Sequence, residues 1–236
     1  MQKKMLISVH LPKTAGESFF LSLQSVYGEN IQRDYSDGPL QKSKLDRNME
    51  ALQAAIANVD NEFDGIDCIH GHFMPVKYLI LESYWDVQFI TWLRNPIDRA
   101  ISHYFYWKNN YDKKNAGPLQ RKMIDEDWDL VRFVFCAELQ NFYVQYLWGF
   151  PIERFDFIGI TERYGKELAY LSEHIIQENL VIHKVNIGKK PNYDITPDLR
   201  KEMEKFHCAD MELYQKILKK KSKRNWGNNL FFGKKR

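Results

Sequence analysis

Ser8-Val9-His10-Leu11-Pro12-Lys13-Thr14-Ala15-Gly16-Glu17-Ser18-Phe19-Phe20 is the stretch that decides the fold. The apolar run Met5 to Val9 ahead of it has the length of a buried strand. The chain breaks at Pro12, passes through small residues, and resumes an apolar pattern at helical spacing with Phe19, Phe20, Leu23 and Val26. Strand, tight turn and helix in that order aim free backbone N–H groups and the positive end of a helix dipole at one point. Lys13 and the hydroxyls of Thr14 and Ser18 fall at the same place, so the stretch reads as an anion site for phosphate or sulfate. The plainer alternative is a strand-to-helix turn whose lysine points at solvent.

Working outward, strands and helices alternate. Leu45, Met49, Leu52, Ile56 and Val59 recur at steps of four and three and predict an amphipathic helix. Gly65 to Ile69 reads as a short strand ending in His70-Gly71-His72, and Val87 to Leu93 as a buried strand ending in Arg94-Asn95-Pro96. A helix follows through Ile97, Ile101, Tyr104 and Phe105. Asn109 to Asp127 has no clean period and reads as a mobile connection, and Asp129 to about Trp148 as a long helical region. Phe155 to Ile160 predicts another strand, Tyr164 to Ile176 a helix, Leu180 to Val185 a short strand, and Asn186 to Pro191 a polar loop. Thr196-Pro197 opens a helix as cap and first-turn proline. Asp34 to Pro39 reads as a turn-rich link.

This alternation predicts an α/β protein: a single three-layer, P-loop-like domain with a mostly parallel central sheet flanked by helices. At 236 residues one larger domain suffices, assigned here to 1–218, with a basic C-terminal tail over 219–236. Ligands in such folds sit beyond the carboxyl ends of the strands, which is where Lys13, His70, His72 and Arg94 fall. The net charge of +3 conceals an asymmetry: from Lys219 onward there are eight Lys/Arg and no acid, leaving the rest at −5. The tail reads as a solvated helix end and loose terminus, or as a patch for a polyanion or membrane surface.

Three dispersed cysteines, Cys68, Cys136 and Cys208, argue against a disulfide framework and a cysteine metal site and fit a reducing, cytoplasmic setting. No apolar run reaches the length of a membrane span, and no signal peptide is read. The histidines show no metal spacing; His10, His103, His174, His183 and His207 read as structural or surface groups.

No GxxxxGK[ST] occurs, because Lys13 precedes Gly16, and this removes support for ordinary ATP hydrolysis. The second motif is Arg94-Asn95-Pro96-Ile97-Asp98-Arg99-Ala100-Ile101-Ser102-His103-Tyr104. An arginine at a strand end and a serine two helical turns later can converge on one anion. Two anion sites on neighbouring strand ends suit a nucleotide phosphorylated at both ends of its ribose.

At these residues the sequence resembles the sulfotransferase superfamily, whose donor is 3′-phosphoadenosine-5′-phosphosulfate (PAPS). Lys13-Thr14-Ala15-Gly16-Glu17-Ser18 is similar to its 5′-phosphosulfate loop, and Arg94-x-Pro96-x-x-Arg99-x-x-Ser102-x-Tyr104 to its 3′-phosphate motif. The nearest likeness is to the carbohydrate-modifying branch that includes the uronyl 2-O-sulfotransferases. More loosely, Gly71-His72-Phe73, Gly159-Ile160-Thr161-Glu162-Arg163 and Asn186 to Tyr193 resemble further segments of that branch.

The resemblance implies transfer of a sulfuryl group to an acceptor hydroxyl, less readily an amine, with no metal and with adenosine 3′,5′-bisphosphate as product. It implies His72 as general base with His70 beside it, the choice between them left open, and Lys13 stabilising the leaving phosphate. Thr14 to Ser18 would hold the 5′ end, and Arg94 and Ser102 the 3′-phosphate. Lys189 and Lys190 are late contacts or a solvated loop, and Arg99 reads alternatively as a structural ion pair. The acceptor, carbohydrate or another small metabolite, would lie against 109–127 and the aromatics Tyr104, Tyr106 and Trp107. The carbohydrate-acting animal members carry a Golgi anchor and disulfides, and this sequence shows neither. Two rival readings are a nucleotide-dependent phosphotransferase on a related fold and a polyanion-binding module using the tail.

Overall fold

The computed structural model describes residues 4–38, 40–61, 63–183 and 193–222. In chain order its elements are β1 (Lys4–Val9), α1 (Gly16–Tyr27), β2 (Ile31–Asp34), α2 (Lys44–Ala57), β3 (Cys68–Gly71) and β4 (Asp86–Leu93). They continue with α3 (Pro96–Asn109), α4 (Pro118–Asp125), α5 (Leu130–Val134), α6 (Phe142–Tyr146), β5 (Phe157–Ile160), α7 (Tyr164–Leu171), α8 (Pro197–Phe206) and α9 (Cys208–Ser222). All five strands are parallel and lie in the order β2-β3-β1-β4-β5.

Alternation along the strands loads both faces of the sheet. Met5, Ile7, Val9 and Phe89 face a core completed by Phe73, Ile97, Ala100, Tyr104 and Phe133. Leu6, Ile90, Trp92 and Phe157 face Phe19, Leu23, Leu168 and Leu171 from α1 and α7 on the other side. This double burial makes the central strands continuously apolar and yields the α/β three-layer architecture expected from the sequence.

The order also fixes where a ligand belongs. From β1 the chain leaves towards β2 at one edge, and from the adjacent β4 it leaves towards β5 at the other. Neighbouring strands with oppositely directed connections open a crevice at their carboxyl ends. The register places Val9 of β1 level with Gly71 of β3 and Thr91 of β4, so His10, His72 and Arg94 emerge close together.

Several local expectations are corrected. The turn-rich link begins with a strand, β2, whose exposed Gln32 and Arg33 give it no apolar signature because it is an edge. The connection from Asn109 to Asp127 contains α4, opened by Gly117-Pro118 and anchored by buried Leu119 and Met123 one turn apart. The long helix over 129–148 is broken into α5, a tight turn at Ala137–Leu139 and α6, with Asn141 in a left-handed conformation at φ 50°. Residues 180–183 form no strand, and the remainder of that predicted strand and the 186–191 loop lie outside the described residues. Thr196 caps α8 as expected, accepting from the Leu199 N–H at 3.2 Å. Helix α9 runs to Ser222 and carries Lys219, Lys220 and Lys221 in its last turn.

Candidate active site

The loop from β1 to α1 is held open by its own backbone. Lys13 and Ala15 are non-glycine residues in the left-handed region, at φ 69° and 68°. Each such residue costs about 1–3 kcal/mol, so the surroundings must impose the shape. Thr14, fully buried, donates its hydroxyl to the Leu11 carbonyl at 2.6 Å and ties the loop down. The first bond into α1 runs from the Phe19 N–H to the Ala15 carbonyl at 3.0 Å. The N–H groups ahead of it, on Gly16, Glu17 and Ser18, therefore have no acceptor within the helix. Gly16 is required here for a steric reason: a Cβ would stand 1.7 Å from the His10 ring.

Lys13 rises from this loop with its ammonium 3.7 Å above the Tyr106 ring of α3. Burial pushes it down to about 8, the Arg94 guanidinium pushes further, and Glu17 opposes. Lys13 and Arg94, at the ends of adjacent strands, thus feel each other as like charges, and neither has a carboxylate within salt-bridge distance among the described residues. Two neighbouring cations with no ion-pair partner among the described residues favour an anion between them.

The Arg94 backbone is clamped on three sides. Its N–H donates to the Tyr143 hydroxyl at 3.1 Å, and that hydroxyl donates back to the Arg94 carbonyl at 2.7 Å. The next N–H, of Asn95, donates to Glu162 at 2.7 Å. The Asn95 side chain caps α3 by accepting from Ile97 and Asp98. The Gly159–Arg163 segment therefore has a role the sequence left blank: Thr161 donates to the Leu93 carbonyl at 3.0 Å while Glu162 holds Asn95. Ser102 lies half-buried on α3, eight residues after Arg94.

Beside these cations sit three histidines, one more than the sequence had grouped. His70 is completely buried, bonds the Ser8 hydroxyl through Nδ1 at 2.8 Å and packs against Phe19 and Phe20. His72 emerges beyond it and meets His10 at 4.4 Å and Tyr35 at 4.8 Å between ring centroids. Gly71 between them admits β2, since a Cβ there would stand 1.6 Å from the Asp34 carbonyl oxygen. Burial pushes His70 down to about 3, with His72 and Arg33 adding to it. Burial pushes His72 down to about 4, with Lys13 adding to it. His10 is driven well below its usual range by the same burial and by its two neighbours. Burial favours the neutral form of all three imidazoles, and His72 Nε2, His70 Nε2 and His10 Nδ1 are buried without a hydrogen-bond partner among the described residues.

Not every expected residue joins the cluster. Arg99 forms no ion pair among the described residues. It is buried against Phe142, with its guanidinium 4.2 Å from that ring and 3.3 Å from His103 Nδ1. Of the aromatics expected at an acceptor surface, Tyr104 and Trp107 turn into the core, where Tyr104 donates to the Trp128 carbonyl and Trp107 packs on His103 and Phe133. Tyr106 alone of the three is exposed, at 49%. Lys189 and Lys190 lie outside the described residues.

The sequence missed His10, Tyr35 and Arg33. The Arg33 guanidinium spans the Phe20 and Tyr35 rings at 4.5 and 5.1 Å. Their common signal is position: each lies on or just past a strand end, which for β2 was unrecognised. No group of His, Cys, Asp and Glu among the described residues has a metal-binding arrangement. No helix among them is long and apolar enough to cross a membrane.

The chain matches no protein-family model and no curated protein sequence. The solved structures to which it is similar include two sulfotransferases. The first is a sulfotransferase from Alicyclobacillus acidocaldarius, 17% identical over 91% of this chain and 96% of that one, with a TM-score of 0.45. The second is the mouse sulfotransferase SULT7A1 complexed with PAP, 12% identical over 86% of this chain and 63% of that one, with a TM-score of 0.42. What the site can do chemically rests on its own residues: two cations unpaired among the described residues, helix-end N–H groups and a neutral imidazole at one crevice.

Proposed function

We propose that the protein is a sulfotransferase using PAPS as donor and a hydroxyl, on a carbohydrate or other small metabolite, as acceptor. One observation carries this reading. Lys13 and Arg94 sit at the switch point between β1 and β4, close enough for Arg94 to depress Lys13, and no described carboxylate pairs with either. Such a pair fits a nucleotide with an anionic group at each end of its ribose.

PAPS supplies an activated sulfuryl group whose bond to the 5′-phosphate breaks as the acceptor oxygen bonds to sulfur. The chain's own residues do the rest. The N–H groups of Gly16, Glu17 and Ser18 and the Lys13 ammonium receive the 5′ end, and Lys13 neutralises charge as the phosphate departs. The Thr14 hydroxyl proton is committed to Leu11, so Thr14 serves through the loop's shape. Arg94 and Ser102 receive the 3′-phosphate, with Tyr143 and Glu162 fixing the Arg94 segment.

His72 Nε2, neutral and unpaired, takes the acceptor proton. His70 stands behind it, completely buried with its Nδ1 engaged by Ser8, and is a positioning residue in this reading. An anion at Lys13 reverses the local field and makes His72 a stronger base once the donor is bound. Tyr35, beside His72, and Tyr106, beneath Lys13, are exposed and offer apolar contact to a sugar ring.

The test is calorimetric titration with adenosine 3′,5′-bisphosphate, followed by an acceptor screen with PAPS. Micromolar binding that Lys13→Ala and Arg94→Ala each weaken at least tenfold is expected. Failure to bind the bisphosphate, or binding of magnesium ATP in its place, overturns the assignment.

A further inference from the structure

Helices α6 and α9 cap each other. Asn141 holds the N-cap position of α6, yet its side chain makes no capping bond there. Its carboxamide oxygen turns to α9 instead, accepting from the Ala209 and Asp210 N–H groups at 3.1 and 3.3 Å. The vacant role on α6 is filled from the other helix. Asp210, 1% exposed, accepts from the Tyr143 and Val144 N–H groups at 2.9 and 3.1 Å. Those are the second and third residues of α6, whose N–H groups a cap normally serves. His207, just ahead of α9, completes the joint. Its Nδ1 accepts from the Asn141 N–H at 3.2 Å, and its Nε2 donates to the Val134 carbonyl at 3.0 Å.

Burial pushes the Asp210 carboxyl up to about 6, while the N–H groups it accepts from and the Arg99 guanidinium oppose that rise, so it is ionised at neutral pH. A buried charge is costly, and a short helix end can be capped by water or by a neutral side chain. What Asp210 adds is a fixed position for the residue whose N–H it holds. That residue is Tyr143, completely buried, whose hydroxyl accepts from the Arg94 N–H at 3.1 Å and donates to the Arg94 carbonyl at 2.7 Å. Tyr143 is thus gripped at its backbone by α9 and grips the segment after β4 with its side chain. The phenol ring between those two points is rigid, so a shift of α6 passes to Arg94. We infer that Asp210 is a positioning residue of the anion site, setting α6 from the start of α9 and fixing Arg94 through Tyr143. The purpose of this relay rests on the reading of Arg94 as a nucleotide contact; its geometry does not.

Asp210→Asn keeps the size of the side chain but sets an NH2 group against one of the two α6 donors. Amide hydrogen exchange of the full chain at neutral pH reads the relay without any ligand. In this variant the Arg94 amide is expected to exchange at least tenfold faster, while Ile90 and Thr91 within β4 keep their wild-type rates. A general loss of stability would speed all three together, and that result, or an unchanged Arg94 amide, overturns the proposal. Adenosine 3′,5′-bisphosphate is expected to bind Asp210→Asn at least fivefold more weakly than wild type. Adding Tyr143→Phe should then weaken binding less than twofold further, because both changes break one chain of contacts; effects that multiply overturn the relay. Asn141→Gly retains the left-handed turn and removes the cap on α9. It is expected to speed the Arg94 amide in the same selective way, and it carries the test should Asp210→Asn fail to fold. A wild type that binds no bisphosphate, with variants that still show the selective exchange, upholds the relay and overturns the nucleotide reading.

Discussion

The depressed Lys13 ammonium turns pH into a probe of the proposed nucleotide site. Free, the group titrates at about 8, because it is partly buried and faces Arg94. A bound polyanion supplies the missing counter-charge and should return it towards the ordinary lysine value of about 10.4. Binding then requires the protonated lysine, and affinity falls as pH rises above 8. With half of the free sites deprotonated at pH 8 and about nine-tenths at pH 9, the dissociation constant for adenosine 3′,5′-bisphosphate should rise about tenfold from pH 7 to 9, or about 1.4 kcal/mol.

Proton uptake accompanies binding, about half a proton at pH 8, and reads out as a dependence of calorimetric enthalpy on the ionisation enthalpy of the buffer. The window is clean, since His10, His70 and His72 are all held below it. Lys13→Arg retains its charge throughout, so the pH dependence should vanish in that variant even if affinity drops. An affinity that is flat from pH 7 to 9 in the wild type, or that falls equally in Lys13→Arg, would refute the assignment of Lys13 to the nucleotide's anionic end.

Other consequences are open to simpler measurements. His72→Ala should lower turnover with PAPS by about 100- to 10,000-fold while bisphosphate affinity changes less than threefold, and near-normal turnover would assign the base elsewhere. Tyr143→Phe removes the hydroxyl that both donates to and accepts from the Arg94 backbone, leaving buried polar groups unpaired. It should cost about 1–3 kcal/mol in urea unfolding and weaken bisphosphate binding several-fold, whereas an unchanged midpoint would show the clamp to be idle. Acid should destabilise the fold through its buried histidines. His70 and His72 titrate near 6.5 when unfolded but at about 3 and about 4 when folded, so the unfolded chain takes up protons first. Stability is then lost as pH falls below 6.5, by about 2 kcal/mol for each imidazole at pH 5, and equal denaturation midpoints at pH 7 and 5 would contradict it.

The parts of this molecule that were legible in the sequence are those where one interaction dominates a run of residues. β1, β4 and β5 are buried on both faces, so their apolar runs are unambiguous, and the Lys13 and Arg94 motifs follow them directly. β2 was invisible because a four-residue edge strand whose consecutive Gln32 and Arg33 are both exposed offers no pattern to read. The stretch over 129–148 carried enough apolar residues for one helix, yet Asn141 at positive φ breaks it. Its carboxamide oxygen is drawn out to accept from the Ala209 and Asp210 N–H groups at the start of α9, a tertiary bond no local period can announce.

The same distinction separates the two histidines of His70-Gly71-His72. Sequence spacing treats them alike, since residues two apart on a strand share a face. The register resolves them: pairing with Ser8 binds His70 into the layer under α1, while β3 ends at Gly71 and frees His72 from that layer. His72 then leans on Tyr35, carried there by the edge strand the sequence did not reveal, and on His10, whose ring occupies the space that Gly16 leaves empty. The missing side chain of Gly16 thus serves two ends of the site. The Gly16 N–H is one of the helix-end groups beside Lys13, and the space the residue leaves admits the imidazole against which His72 rests. Gly16→Ala should therefore damage anion binding and proton transfer together, although it touches neither group directly.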